Sequence, residues 1–140
     1  MTLFLPERVT KDIVEHALSE RPNEACGVIT GSNGNPTRVY RMKNVVEEKV
    51  RPYRFEMDGK ELLLLLADLD LLDEEIWAIY HSHVATEAYP SPTDVRFASG
   101  WPDSFHIVIS LADPKKPIIK VFKIVDGEIT NQEVGDSWAS

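Results

Sequence analysis

Residues 79–94 read IYHSHVATEAYPSPTD, so two histidines, a serine and an aspartate crowd into one short passage from apolar to polar sequence. The run Ile76-Trp77-Ala78-Ile79-Tyr80 is β-branched and aromatic, and predicts a buried strand that delivers His81 and His83 at its end. Side chains alternate along a strand, so His81 and His83 share a face and Ser82 points away. After Pro90, the segment Ser91-Pro92-Thr93-Asp94 predicts a helix start that carries a carboxylate back toward the imidazoles. Two imidazoles and one carboxylate are the donors that suit zinc best. Three protein ligands leave a fourth tetrahedral position for water, which marks a catalytic rather than a structural site.

Each of these residues also has an ordinary explanation. A histidine near a strand end is commonly just a satisfied polar group. Serine before proline, with an acid three residues on, is close to a capping box in which Asp replaces the usual Glu or Gln. The metal reading rests on co-occurrence, because one window supplies both imidazoles on one face and the returning acid.

The spacing His81-Ser82-His83, seven residues, Ser91, two residues, Asp94 resembles the motif of the JAMM (MPN+) zinc metalloproteases, whose members carry a glutamate upstream in a segment like Asn23-Glu24-Ala25-Cys26-Gly27-Val28. The resemblance covers nearly the whole chain. The stretches PNEACGVITG, HSHVATEAYPSPTDVRFAS and FKIVDGEI are similar to the small bacterial members that remove cysteine from a ubiquitin-like sulfur-carrier protein. Insertions of the kind expected in eukaryotic deubiquitinases are not apparent. The resemblance implies an α/β JAMM/MPN fold, a mixed central sheet flanked by helices, related in layout to the cytidine deaminases. It also implies one Zn2+ held by His81, His83 and Asp94, with Glu24 as general base and Ser91 as hydrogen-bond donor to the developing oxyanion. The implied reaction is hydrolysis after a Gly-Gly tail, releasing cysteine. Two rivals stand beside it: an isopeptidase or precursor-processing protease for another ubiquitin-like protein, and a non-catalytic scaffold of the same fold. The five intact site residues speak against the scaffold.

Composition bounds the rest. At 140 residues and 43% hydrophobic content, the chain is expected to form one domain over 1–140. A net charge of -8 argues against nucleic acid as a partner, since phosphate binding needs a basic face. The single cysteine, Cys26, excludes an intrachain disulfide and fits a reducing compartment. No secretory signal is apparent at the N-terminus, and the longest apolar stretch, residues 62–72, is interrupted by Asp68 and Asp70, so a cytoplasmic protein without a membrane span is expected.

Along the chain, Thr10 is expected to cap a helix to about residue 20, with Ile13, Val14, Ala17 and Leu18 as its apolar stripe. Glu24 then precedes a core strand over 25–29, where it could equally be an exposed loop acid. A turn over 31–36 leads to a strand over 37–42, and Tyr53-Arg54-Phe55 reads as strand-like beside the basic cluster Lys49, Arg51 and Arg54. Such a cluster is usually a solvated face. Asp58 is expected to cap a helix over 59–72 whose leucines are too many for one face and imply a second contact. The helix of the metal motif spans 91–99, strands follow over 105–111, 118–125 and 128–134, and Asp126-Gly127 predicts a hairpin turn. His16 and His106 read as structural.

Overall fold

The computed structural model describes residues 2–135. Its elements are β1 (Thr2–Leu3), α1 (Glu7–Ser19), β2 (Cys26–Ser32), β3 (Asn35–Met42), a 3-10 turn (Glu48–Val50), α2 (Gly59–Leu72), β4 (Glu75–His83), α3 (Pro92–Ala98), β5 (Phe105–Ser110), β6 (Ile118–Val125) and β7 (Glu128–Val134). The strands form one seven-stranded sheet in the order β1-β7-β6-β5-β4-β2-β3. The β4–β5 and β1–β7 pairs are parallel and the others antiparallel, so the sheet is mixed as expected.

Strand alternation assigns the two faces. Tyr80, Ile107, Ile109 and Val121 join Val9, Ile13 and Ala17 of α1 in one core. Cys26, Val28 and Ile79 face the other way, toward Leu65 and Leu69 of α2, and beside them Val108, Phe122 and Ile124 cover Ala98 of α3. His81 and His83 follow Ile79 at a period of two, so they project to the side of α2 and α3. The parallel β4–β5 pair requires a crossover, and α3 lies in it. The histidines therefore end β4 where the crossover begins, the place where open α/β sheets present ligands.

Two-residue turns close both predicted hairpins, with positive φ at Asn33 (53°), Gly34 (80°), Asp126 (51°) and Gly127 (79°). The first turn is shorter than expected because β2 and β3 pair through Ser32 and Asn35, which puts Pro36 inside an edge strand. Helix α1 also departs from expectation. It begins three residues before Thr10, on the carbonyl of Pro6, which accepts from the Val9 and Thr10 amides at 2.9 and 3.1 Å. Its buried stripe is Val9, Ile13, His16 and Ala17, while Leu18 stays exposed. Tyr53-Arg54-Phe55 is not a strand. The Tyr53 and Arg54 amides donate to the Val50 carbonyl and Asn44 takes up the Arg54 carbonyl and the Glu56 amide, so this backbone is satisfied by a turn and a side chain rather than by a ladder.

Helix α2 has the predicted bounds, and Asp58 Oδ1 accepts from the Lys60 amide at 3.0 Å. The expected second contact for its leucines is not made among the described residues: Leu65 and Leu69 are buried, whereas Leu63 is 68% and Leu71 86% exposed. No helix of the described residues is long and apolar enough to cross a membrane.

Candidate metal centre

Three ligand atoms converge at the end of β4. His81 Nε2 and His83 Nε2 lie 3.1 Å apart, and Asp94 Oδ2 is 3.0 Å from the first and 3.1 Å from the second. Asp94 is the third residue of α3 and arrives there through a reciprocal cap. The Ser91 amide donates to Asp94 Oδ2 at 2.9 Å, and the Asp94 amide donates to Ser91 Oγ at 3.1 Å. The cap and the metal motif are thus the same four residues. The neighbouring Thr93 hydroxyl takes no part in the cap and accepts from Arg96 at 3.2 Å. Ser91 Oγ serves the cap as an acceptor, so its O–H proton is not committed to it.

The donor set fits a cation. A tetrahedral zinc with bonds of about 2.0 Å has ligand–ligand edges of about 3.3 Å, close to this triangle. His83 Nδ1 lies 2.9 Å from the Glu87 carbonyl, which can only accept, so Nδ1 carries the hydrogen and a neutral ring turns its Nε2 lone pair into the triangle. Burial alone would raise Asp94, yet the hydrogen bonds with His81 and His83, together with the Ser91 amide, hold it well below the usual carboxylate range. Burial would lower His83, but Asp94 and the Glu87 carbonyl outweigh it and raise the imidazole. Both directions describe a site that favours positive charge. Phe55 stacks on His81, with ring centroids 4.7 Å apart, and fixes the plane of that ring.

Glu24 sits just before β2, and it is no exposed loop acid: its residue is 4% exposed. The Glu24 amide donates to the Arg51 carbonyl at 2.8 Å, and the next residue is tied to β4 by Ala25 N–H to Ser82 Oγ, also 2.8 Å. Ser82, on the face opposite the ligands, thus joins the strand of the acid to the strand of the histidines. Buried Glu24 Oε1 has no hydrogen-bond partner among the described residues. Burial pushes the carboxyl up to about 8, with smaller contributions from His83, which lowers it, and Asp94, which raises it. A cation in the triangle would draw it down again.

Glu24, His83 and Ser91 open onto one groove of about 380 Å³, whose other walls are Pro22, Pro52, Tyr53, Val84, Ala85 and Thr86. Sequence reasoning left these walls unassigned, because they come from three separated loops with no periodic signal. Within the basic cluster, Lys49 pairs with Glu47 at 3.3 Å and Arg51 Nε donates to the Val46 carbonyl at 2.8 Å, so Arg51 braces the loop that carries Glu24. His16 and His106 are bonded inside the fold, to Tyr80 OH at 2.7 Å and to the Trp101 carbonyl at 3.1 Å.

The model of prokaryotic homologs of the JAB domain matches residues 6–123. A CysO-cysteine peptidase of Mycobacterium tuberculosis is 39% identical over 124 residues, covering 87% of this chain and 82% of the relative. A desampylase of Pyrococcus furiosus is 30% identical over 107 residues, covering 76% and 74%. The solution structure of a Desulfitobacterium hafniense protein superposes with a TM-score of 0.81 at 32% identity, covering 96% of this chain and 92% of that one. With the His81, His83 and Asp94 triangle at the mouth of the β4–α3 crossover, these likenesses show that the chain belongs to the JAMM family of peptidases, among the prokaryotic homologs of the JAB domain.

Proposed function

We propose that this chain is a zinc-dependent peptidase that cleaves after the Gly-Gly tail of a ubiquitin-like sulfur-carrier protein and releases cysteine. The observation that carries the reading is Glu24, whose buried Oε1 has no partner among the described residues, lining one groove with His83, a member of the triangle of three metal-ligand atoms. A buried acceptor without a partner is costly unless a ligand or water completes it. The likeness to the mycobacterial CysO-cysteine peptidase supports a substrate that ends in cysteine.

His81, His83 and Asp94 would hold the zinc ion, which would supply Lewis acidity toward water at neutral pH. The rest falls to the chain. Glu24 takes the proton from the attacking water and returns it to the leaving amine, and its burial suits it to hold that proton between the two steps. Ser91 keeps its acceptor role toward Asp94 and donates its hydroxyl proton to the substrate carbonyl oxygen as charge grows there. The Glu87 carbonyl holds His83 in the ligand tautomer. The groove between Pro52 and Val84 receives the tail, and glycines, having no side chains, let an extended backbone lie close to such walls.

Metal analysis with mass spectrometry of a carrier–cysteine fusion tests the reading. The expected result is about one zinc per chain, little zinc in His83→Ala, and a product ending in Gly-Gly plus free cysteine. Cleavage of a lysine-linked conjugate in preference to the fusion would move the assignment to an isopeptidase. A chain that binds no metal and cleaves neither would be the scaffold.

A further inference from the structure

The carboxamide of Asn44 is half-buried beyond the end of β3, and all four of its hydrogen-bonding capacities are used. Its Nδ2 donates to the Glu24 carbonyl and to the Arg54 carbonyl, each at 3.1 Å. Its Oδ1 accepts from the Val46 amide at 3.2 Å and the Glu56 amide at 3.1 Å. Two carbonyls on one side and two amides on the other admit only one orientation of the group. The Arg54 and Glu56 contacts flank Phe55, the residue whose ring stacks on His81 and meets Phe97 edge-on with centroids 5.1 Å apart. One side chain therefore joins the peptide of the acid to the loop that backs a metal ligand.

We propose that Asn44 is a positioning residue for the reaction, setting Glu24 against the triangle by clamping its peptide group. The inference rests on the reading of Glu24 as the base. Among the described residues Glu24 Oε1 has no hydrogen-bond partner to hold it, so the set of its backbone bears directly on where the carboxylate lies. That backbone is gripped on both sides, its amide on the Arg51 carbonyl and its carbonyl on Asn44 Nδ2. A staple that served only the 44–57 loop would have no use for the Glu24 contact. Misplacement of a catalytic group by about 1 Å costs on the order of 10²-fold in rate, so a modest loosening here reads out in kcat.

Asn44→Asp tests this. It keeps oxygen acceptors for the Val46 and Glu56 amides but loses both donations and sets a carboxylate against two carbonyls. The full chain is assayed on the carrier–cysteine fusion as the parent, Asn44→Asp, Glu24→Gln and the double variant, with zinc content and melting temperature measured on each. Amide hydrogen exchange at residues 24–26 is followed in the metal-free protein. The expected results for Asn44→Asp are about one zinc per chain, a nearly unchanged KM, a kcat lower by roughly 10-fold to 100-fold, and faster exchange at 24–26. In the Glu24→Gln background the same change costs nothing further, because the group it positions is already gone. If Asn44→Asp melts below the assay temperature, Asn44→Ser, smaller and uncharged, is read the same way. Parental kcat per folded molecule, or an equal loss in both backgrounds, overturns the role of Asn44 while leaving Glu24 as the base. Parental turnover in Glu24→Gln alone overturns the base assignment itself and this inference with it.

Discussion

Glu24 is a largely buried carboxyl group with no counter-ion bonded to it among the described residues. In the metal-free protein burial moves it from 4.5 to about 8, so across that window the native state holds a proton that the unfolded chain has released. Stability then falls as pH rises from 4.5 toward 8, by on the order of a few kcal/mol. His83, raised above 6.5, adds in the same direction, while Asp94, lowered from 3.8, acts only in more acidic solution. Chelated protein is expected to melt lower at pH 8 than at pH 5, with a flatter dependence in Glu24→Gln; equal slopes in the two proteins would place the titration elsewhere. Ser91 caps α3, and the proposed reaction gives its O–H a second duty. Ser91→Ala removes the acceptor for the Asp94 amide and is expected to cost about 1 kcal/mol, and it also lowers kcat by roughly 10²-fold if the O–H serves the oxyanion. A lowered melt with unchanged turnover would leave Ser91 as a cap only. The two histidines and Asp94 are legible from spacing, since the alternation of a strand and the first turn of a helix both follow local rules. Glu24 is legible only by resemblance, because the groups that hold its backbone, the Arg51 carbonyl and the Asn44 carboxamide, lie 20 or more residues away in sequence.

At the scale of elements, the hairpins were legible because Asn33-Gly34 and Asp126-Gly127 tolerate positive φ. The stretch Tyr53-Arg54-Phe55 has the composition of a strand yet none of its ladder, since Asn44 captures the polar groups on either side of Phe55. Composition reports what a residue can bury, not which group satisfies its backbone. Helix α2 shows the converse: its bounds follow from Asp58 and the helix-forming run, but leucines on every side hide which of them face the sheet. Leu69→Ala is expected to lose about 2–5 kcal/mol, because Leu69 is 2% exposed against β2 and β4. Leu71→Ala, at 86% exposure, should change stability by no more than about 0.5 kcal/mol. Equal losses in paired denaturant titrations would mean that Leu71 is covered in solution.

For the whole molecule, the order β1-β7-β6-β5-β4-β2-β3 was beyond the sequence, because strand propensities do not say which strands pair. Local reading nonetheless anticipates that the three candidate ligands meet: a parallel pair needs a crossover, and the motif straddles β4 and the helix inside that crossover. The same topology separates the candidate metal site from the burden of folding. Two cores flank the sheet, and the triangle lies at the end of β4 beside them rather than within either. Removing zinc should therefore loosen the native state without unfolding it, unlike a zinc finger, whose core is the metal. With free zinc about 100-fold above its dissociation constant, binding adds about 2.7 kcal/mol. For a chain of this size that corresponds to a melting shift of about 10 °C on chelation. The far-UV circular dichroism of the chelated protein at 25 °C is expected to match that of the zinc form, and its melt to stay cooperative. Collapse of that signal on chelation would show that the triangle, rather than the apolar faces of the sheet, holds β4 and α3 together.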